Sequence, residues 1–303
     1  MTAAPLISVI IPSYNMRGTI RSCLRSALEQ DLQSCYEVIV VDSSDDGSDQ
    51  IISREFPGVI LLRQEERMPA GEARNLGVAK ASGTFAAFTD ADCIVAKDWL
   101  RRLVHRHQGG DFAAVGGSIA NGTPWSLVGS AEHLFAFNEF LPQAPERLAT
   151  NIPTCNLCYR KSVLTETLFE GGPEGVNLAE DTVLNWDLVR RGAKLLFDPA
   201  IRVVHMNRTH LGKSLHHQHL LGQAACWARK RTADLPGRLF ADYPLLVPLM
   251  PFLRMARIGV RLSKIDRGQT LRFLALSPLI LLEAAVWTAG FMREALRGME
   301  QES

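Results

Sequence analysis

The first ninety residues alternate short apolar runs with segments whose apolar residues recur at helical spacing. Short apolar runs bounded by turn residues are typical of buried strands, and a repeat of three to four residues is typical of helices. The pattern predicts strands at residues 6–11, 37–41, 59–63 and 85–89, and helices at 19–28, 48–55 and 71–81. Strands that alternate with helices in this way predict an α/β fold with a mostly parallel sheet and right-handed crossovers.

The chain beyond residue 90 is less regular. A short apolar run predicts a strand at 113–117, and helical spacing predicts a helix at 180–191. A last strand is predicted at either 195–198 or 201–205, and the pattern does not choose between them. No repeat or low-complexity segment interrupts this region. The composition changes only near residue 239, and we therefore expect one domain over residues 1–235.

From about residue 239 the composition changes to long apolar runs with a basic segment between them. The cations recur at steps of three and four residues, which places them on one face of a helix: Arg254, Arg257, Arg261, Lys264 and Arg267. A basic amphipathic helix is typical of a segment that lies on an anionic membrane surface. The alternative is a helical pair folded onto the preceding domain, with these cations as a solvated face.

The last apolar run, Phe273–Met292, is close to the length of about 20 residues that a membrane-spanning helix needs. It contains Pro278 and Glu283, and basic residues flank both of its ends. A spanning helix usually shows an asymmetry of positive charge instead. We therefore expect residues 236–303 to form an amphipathic and apolar helical tail that is bound to the membrane as a monotopic or re-entrant segment.

Charge and cysteine content suggest where the protein works. The formal net charge is +1, which gives no overall attraction to nucleic acid, so no nucleic-acid partner is expected. Residues Met1–Pro5 lead into the first strand without the basic and apolar regions of a secretory signal. The six cysteines then fit reduced thiols. Together with the tail, these features predict a protein at the cytoplasmic face of the cell membrane.

Acidic residues follow two of the predicted strands. Asp42 ends the second strand, and Asp90-Ala91-Asp92 follows the fourth. Ligands of such sheets bind outside the carboxyl ends of the strands. Side chains two residues apart on an extended backbone project to the same side, so Asp90 and Asp92 would offer two carboxylates together. Such a pair suits a hard divalent cation, although solvated loops also contain paired acids.

Several motifs occur in a fixed order along the chain. They are Ser13-Tyr14-Asn15, Asp42, Gly71-Glu72-Ala73-Arg74-Asn75-Leu76-Gly77, Asp90-Ala91-Asp92, Asn156-x-x-Tyr159-Arg160 and Glu180-Asp181. The ordered set resembles the family 2 glycosyltransferases, which are inverting enzymes with the Rossmann-like GT-A fold, and the resemblance covers roughly residues 6–208. It implies a bacterial-type, membrane-associated enzyme of polysaccharide biosynthesis that uses a nucleotide-sugar donor.

The resemblance also implies which residues bind the donor. Pro12 and Tyr14 would form the turn that contacts the nucleotide, and Asp42 would accept a hydrogen bond from the base. Arg74 would lie near the nucleotide, where it could pair with phosphate or base. Asp90 would contact the ribose or the phosphates. Without the family context, Asp42 could equally fix its own turn, and Arg74 could be a surface residue.

Metal binding and catalysis are assigned in the same way. Asp92 would hold Mg²⁺ or Mn²⁺, and His205 lies where some members place a metal-ligating histidine. Asp181 would be the base that deprotonates the acceptor, with Glu180 as the second member of the acidic pair. The alternatives are a buried core histidine and acidic residues that cap a helix.

One motif departs from the family's processive members, which carry Q-x-x-R-W. The matching residues here are Gln223-Ala224-Ala225-Cys226-Trp227, and the missing arginine favours addition of a single sugar. The acceptor would be a glycan or a polyprenyl-linked glycan precursor.

Two other functions remain open. A nucleotidyltransferase would usually carry a glycine-rich phosphate loop, which Pro12-Ser13-Tyr14-Asn15 is not. A catalytically silent nucleotide-binding scaffold at the membrane would not need the acidic residues.

Overall fold

The chain folds into two compact units, each assembled from separate segments. The computed structural model describes residues 4–172, 176, 178–232 and 234–302, with side chains described no further than residue 297. The first unit, called the sheet unit, comprises Met1–Ala120, Pro145–Glu170 and Leu184–His205. The second, called the helical unit, comprises Asn121–Ala144, Gly171–Val183 and Met206–Ser303. Residues Met1–Ala3, in which no export signal is predicted, lie outside the described residues. The predicted boundary at residue 235 stays a prediction.

Nine strands of the described residues form one sheet. They are β1 (Ile7–Ser13), β2 (Tyr36–Asp42), β3 (Ile60–Arg63), β4 (Phe85–Phe88), β5 (Cys93–Val95), β6 (Ala114–Asn121), β7 (Arg147–Ala149), β8 (Leu157–Arg160) and β9 (Leu195–His205). The strand order is β3-β2-β1-β4-β8-β6-β9-β5, and β7 pairs with β9. The first four strands are parallel, as the alternating pattern predicts. The β4–β8, β6–β8, β5–β9 and β7–β9 pairs are antiparallel, which makes the sheet mixed.

Eleven α-helices accompany the sheet in the described residues. They are α1 (Ile20–Leu28), α2 (Ser48–Glu55), α3 (Ala70–Lys80), α4 (Trp99–Gln108), α5 (Leu127–Phe137), α6 (Lys161–Glu166), α7 (Glu180–Arg190), α8 (Leu211–Arg231), α9 (Arg238–Asp242), α10 (Met250–Ile265) and α11 (Arg267–Glu302). The predicted helices at 19–28, 48–55, 71–81 and 180–191 are thereby confirmed to within one residue at each end. Strand β9 covers both of the predicted alternatives, because the chain stays extended through Pro199.

Asn156 joins three parts of the sheet unit. Its side chain is fully buried, its Nδ2 donates to the backbone oxygens of Ser118 (2.9 Å) and Ile201 (3.0 Å), and its Oδ1 accepts from Trp99 Nε1 (2.8 Å). A buried polar group whose partner is removed loses its hydrogen bond without regaining water. Asn156 therefore stabilises the fold, whatever else the motif around it does.

Replacing Asn156 by leucine is expected to lower the free energy of unfolding by about 2 kcal/mol, because the Trp99 indole and two carbonyl oxygens lose their partner. Urea unfolding followed by tryptophan fluorescence measures the change. Gln108→Leu, at an exposed position at the end of α4, is the matched control and should shift stability by less than about 0.5 kcal/mol. Equal effects of the two changes would contradict the structural role of Asn156.

In the helical unit, α8 and α11 pack with almost no space between their backbones. A Cβ atom on Gly222 would lie 1.9 Å from the backbone oxygen of Trp287, and one on Gly290 would lie 2.0 Å from that of His219. Around this contact, one hydrophobic cluster joins α5, α8, α10 and α11; its members include Phe135, Cys226, Ile258, Leu262, Ile280 and Phe291. Both predicted tail helices therefore pack on other helices of their own unit.

The predicted basic face is only partly correct. Helix α10 ends at Ile265, so Arg267 belongs to α11 instead. Arg254 points inward, with its guanidinium carbon 3.8 Å from the Phe135 ring centroid and 4.6 Å from that of Trp287. The prediction that five cations share one helical face is therefore wrong for Arg254 and Arg267.

Among the described helices, one segment, Arg267–Arg297, is long and apolar enough to cross a membrane, with a mean hydropathy of 1.7, and 44% of its most apolar stretch is buried.

Candidate functional site

The carboxyl ends of β1 and β2 are tied together by backbone and side-chain hydrogen bonds. Ser13 lies beside Asp42 in the parallel register, and the Ser43 amide donates to the Ser13 carbonyl at 3.0 Å. Asn15 then adopts a left-handed conformation (φ 56°), its amide donates to Ser44 Oγ at 2.8 Å, and its Oδ1 accepts from the Asp45 amide at 3.0 Å. Asparagine tolerates this conformation better than most residues. The turn that carries Tyr14, which was predicted to contact the nucleotide, is thereby held against the end of β2.

Asp42 is fully buried, and its charge is compensated locally. Ser44 donates its amide to Oδ1 (3.0 Å) and its hydroxyl to Oδ2 (2.8 Å). Arg63 lies opposite Asp42 in the register of β3, and its Nη1 is 3.7 Å from Asp42 Oδ1. The Arg63 Nη2 also donates to the Ser44 carbonyl at 2.6 Å. A buried carboxylate held in this way is fixed in one orientation at the end of β2.

Pro12 and Tyr14 flank Ser13 at the end of β1, and both are half-buried. The guanidinium carbon of Arg67, in the loop before α3, lies 4.7 Å from the centroid of the Tyr14 ring. This is a cation–π contact, and it orients the ring. Arg67 itself is exposed. An aromatic face and an exposed cation therefore lie together next to the strand end that carries Asp42.

Arg74 and Asp90 form an ion pair. Arg74, on the first turns of α3, is 4% exposed, and its Nη2 donates to Asp90 Oδ1 at 2.9 Å. Its guanidinium carbon also lies 5.8 Å from the Phe169 ring centroid. Because the arginine is buried and fixed by its surroundings, it holds the Asp90 carboxylate in one orientation. Two residues that were predicted to bind the donor separately are thus in direct contact.

Asp92 and His205 meet at the start of β5. Cys93 pairs with His205 in the antiparallel register, which brings the His205 imidazole next to Asp92, the residue before Cys93. His205 Nε2 is 3.7 Å from Asp92 Oδ1. The Cys93 thiol donates to the same oxygen at 3.7 Å, and the three potential ligand atoms lie within 4.8 Å of one another. Burial raises the pKa of the Cys93 thiol well above its usual range, so it stays neutral. The remaining carboxylate oxygen and imidazole nitrogen suit a divalent cation such as Mg²⁺ or Mn²⁺.

Two buried hydroxyl groups at the ends of β1 and β4 support a polar ligand at this edge. Ser13 Oγ and Thr89 Oγ1 have no hydrogen-bond partner among the described residues. Buried polar groups are nearly always satisfied, so each unsatisfied one calls for an explanation such as water or a bound ligand. Thr89 directly precedes Asp90, which places this polarity next to the predicted donor contacts.

Glu180 and Asp181 are the first two residues of α7 and belong to the helical-unit segment Gly171–Val183. Glu180 is 5% exposed, and Asp181 Oδ1 accepts from Thr182 Oγ1 at 3.3 Å. The residue before them, Ala179, has a φ of 68°. A left-handed residue other than glycine costs roughly 1–2 kcal/mol, and such strain concentrates at functional sites. The backbone that presents the acidic pair is therefore strained.

Sequence reasoning missed several residues that shape this edge. Ser44 and Arg63 hold Asp42, Arg67 contacts Tyr14, and Phe169 contacts Arg74. Ser44 and Arg63 could have been found from the predicted strands. Arg63 ends the strand that lies beside Asp42, and Ser44 comes two residues after Asp42 in the sequence. Phe169 could not, since it lies far from Arg74 in the sequence.

Residues 8–168 match glycosyl transferase family 2. Glycosyltransferase AglE of Haloferax volcanii is 38% identical over 120 residues, which are 38% of this chain and only 40% of AglE. The fold is similar to that of mannosyltransferase PcManGT from Pyrobaculum calidifontis in complex with GDP-Man and Mn²⁺ (TM-score 0.60, 19% identity, 100% of this chain and 89% of that one). It is also similar to S. aureus TarS 1–349 in complex with UDP-GlcNAc (TM-score 0.54, 18% identity, 97% and 92%).

These matches confirm the predicted α/β fold of the GT-A type, with helices flanking the sheet. The match to the family extends over more than half of the chain and includes the turn at Tyr14, Asp42, Arg74 and the Asp90-Ala91-Asp92 segment. The chain therefore belongs to glycosyl transferase family 2.

Proposed function

We propose that the protein transfers a single sugar from a UDP- or GDP-linked donor to a hydroxyl group, with inversion at the anomeric carbon. The observation that carries the proposal is the group of charged side chains at the carboxyl edge of the sheet. Asp42 is buried there, Asp90 is held by Arg74, and Asp92 lies 3.7 Å from His205. Ligands bind at this edge in sheets of this kind. The family membership supports the same function.

The donor nucleotide would lie against the turn that follows β1. Tyr14 offers an aromatic face, Pro12 a rigid wall, and Asp42 a fixed carboxylate that could accept from an N–H group of the base. Uracil and guanine both carry such a group, so Asp42 is compatible with either nucleotide. The neighbours in complex with GDP-Man and UDP-GlcNAc support a nucleoside diphosphate sugar as donor.

Arg74 and Asp90 would orient the diphosphate and ribose. A carboxylate that accepts one hydrogen bond from a buried guanidinium keeps further acceptor sites for a ribose hydroxyl. Arg74 is therefore proposed to act as a binding and positioning residue. Removing it would leave Asp90 free to turn away from the donor.

Asp92 Oδ1 and His205 Nε2 would hold Mg²⁺ or Mn²⁺, and the neighbour in complex with Mn²⁺ supports divalent metal use. The cation would supply charge stabilisation for the departing nucleoside diphosphate. The residues of this chain would fix its position, because the imidazole and the carboxylate are held by the pairing of β5 with β9.

Inversion requires a base on the opposite side of the sugar from the leaving group. We propose Asp181 for this role, with Glu180 beside it in the acidic first turn of α7. The strained conformation of Ala179 supports a functional role for this turn. The base would take the proton of the acceptor hydroxyl as that oxygen attacks the anomeric carbon.

The remaining features suggest where the acceptor is. The apolar segment Arg267–Arg297 supports association with a membrane. We place the protein at the cytoplasmic face of that membrane, with residues 1–235 as the catalytic domain and 236–303 as the membrane-associated tail. The acceptor would then be a polyprenyl-linked or other lipid-borne glycan in the biosynthesis of a cell-surface polysaccharide.

A panel of UDP- and GDP-sugars, assayed with lipid-linked glycan acceptors, tests the proposal. One donor is expected to release its nucleoside diphosphate, and chelation of divalent cations is expected to reduce the rate at least about 10-fold. Nuclear magnetic resonance of the product tests inversion. Release of pyrophosphate from a nucleoside triphosphate and a sugar phosphate, with no diphosphate release from any donor, would instead identify a nucleotidyltransferase.

A further inference from the structure

The outward face of α11 is apolar over most of the segment that could cross a membrane. Its exposed residues recur every three or four positions and include Leu271, Leu274, Pro278, Leu281, Leu282 and Ala285. Leu271 and Leu274 are 67% and 59% exposed. At a rise of about 1.5 Å per residue, this stripe is about 20 Å long. Soluble surfaces seldom expose so long a row of leucines, which indicates a partner of low polarity.

The opposite face of α11 packs against α8. Trp287 and Gly290 touch the backbone of α8, and Glu283 Oε1 accepts from Ser214 Oγ of α8 at 2.9 Å. Helix α8 exposes Lys213 and His216 and ends with three consecutive cations, so it is too polar to lie in hydrocarbon. A helix clamped to such a partner does not span a bilayer. It can lie in the plane of the bilayer with one face in lipid.

Helix α10 adds a mixed apolar and cationic surface. Phe252 (67% exposed), Leu253 (54%) and Val260 (56%) lie on its outward side, and Ile258 and Leu262 lie on its buried side. The segment before it contributes Leu245, which is 94% exposed. Apolar side chains that point outward from a helix already packed on its protein are typical of insertion into the interfacial region of a membrane.

The cations of α10 flank these apolar residues. An open depression with a volume of ≈ 480 Å³ is lined by Ala256, Arg257, Val260, Arg261 and Lys264. Arg257 and Arg261 share one carboxylate, that of Glu139, at 3.4 and 2.8 Å, so positive charge remains in excess. Arg267 and Arg272, at the start of α11, are also exposed. The charge complements anionic headgroups, which bind such clusters by electrostatic attraction.

We propose that the outward faces of α10 and α11 dock this protein onto an anionic phospholipid bilayer without crossing it, with headgroup phosphates in the depression beside Arg257 and Lys264. The inference rests on the proposed membrane location and specifies its mode. Hydrocarbon contacts come from Leu271, Leu274 and Phe252, and lipid selectivity comes from the cations.

Sedimentation of the full chain with vesicles tests the surface. Binding is expected to vesicles of phosphatidylcholine with phosphatidylglycerol, and to be weaker with phosphatidylcholine alone. The Leu271→Ser, Leu274→Ser variant should bind at least about 30-fold less, and the Arg257→Gln, Lys264→Gln variant about 30-fold less to anionic vesicles only. Leu168→Ser and Arg54→Gln, at exposed positions of the sheet unit, are the matched controls and should bind like the wild type.

Three results would overturn the proposal. Absence of wild-type binding to anionic vesicles is the first, and equal binding by the docking variants and the controls is the second. The third is retention of the protein in cell membranes after alkaline carbonate extraction, which would indicate a spanning helix. A change from dimer to monomer in the leucine variant, without vesicle binding by the wild type, would assign the stripe to a second copy of the chain.

The same variants separate this inference from the proposed enzyme function. Release of UDP or GDP from the donor in detergent solution should be unchanged in the docking variants, because none of the replaced residues lies at the carboxyl edge of the sheet. Failure of every donor to release a nucleotide, with vesicle binding intact, would count against the enzyme function alone. Normal nucleotide release without vesicle binding would count against the docking surface alone.

Discussion

Replacing Asp92 by asparagine is expected to lower sugar transfer by at least about 100-fold, which corresponds to about 3 kcal/mol of transition-state stabilisation. The amide keeps the size of the side chain but loses the negative charge that a divalent cation requires. It also changes the partner of His205 Nε2, which lies 3.7 Å from Asp92 Oδ1. Released nucleoside diphosphate measures the rate, and titration with Mn²⁺ measures cation binding independently of turnover.

The comparison needs a second variant and a control. His205→Asn should weaken Mn²⁺ binding as well, and the double variant should lose little more than Asp92→Asn alone, because residues that act as one unit are not additive. Asp111→Asn, at an exposed position, should transfer sugar like the wild type. Full turnover by Asp92→Asn would refute the assignment of Asp92 as a metal ligand. The proposed transfer reaction would then proceed without a cation bound by this side chain.

The stability of the protein is expected to fall as the pH rises from about 5 to about 8, because of Glu283. Burial raises the pKa of this carboxyl group from 4.5 to about 8, with the charge of Glu132 adding to the effect and the Ser214 hydrogen bond and Arg254 opposing it. The folded chain therefore keeps a proton that the unfolded chain releases. Stability from this group is complete below pH 4.5 and is lost as the pH rises through about 8.

Glu283→Gln should remove this dependence. The amide oxygen can still accept from Ser214 Oγ, and no proton is released on unfolding. The free energy of unfolding of the variant, relative to that of the wild type, should thus increase by about 3 kcal/mol between pH 5 and pH 8. Urea unfolding in a mild detergent at several pH values provides the measurement, with Glu29→Gln, at an exposed position, as the control. Parallel pH profiles for Glu283→Gln and the wild type would contradict the assignment.

Features of the fold that depend on local periodicity could be predicted from the sequence. The parallel strands β1 to β4 and the helices between them follow from apolar runs and helical spacing, and Asp42 and Asp90 lie at strand ends as a result. Apolar runs also predict β6 and β9. The strands β5, β7 and β8, and the antiparallel pairing of all five, could not be predicted in this way, because that pairing joins residues far apart, such as Cys93 and His205. The pairing depends on partners that a local pattern does not contain.

In the candidate site, too, local features could be predicted and contacts between distant residues could not. The types of residue at the sheet edge were predicted, but not the ion pair that fixes Arg74 to Asp90, since no spacing rule relates a helix to the loop after the next strand. Arg254 illustrates the opposite error. Its helical spacing matched that of Arg257 and Arg261, yet two aromatic rings draw it inward. Periodicity identifies a face, and tertiary contacts decide which members of that face are buried.

The close packing of α8 against α11 has a consequence for the order of folding during synthesis. Ser214 and Glu283 are 69 residues apart, and Lys230 reaches the Ala295 carbonyl from 65 residues away. Contacts of such long range form late, because the loop between them must close first. The last strand of the sheet unit ends at His205, so that unit can be completed while α11 is still in the ribosome. The apolar faces of α5 and α8 stay exposed until α11 has been synthesised, so we expect the chain to be most prone to aggregation during this interval.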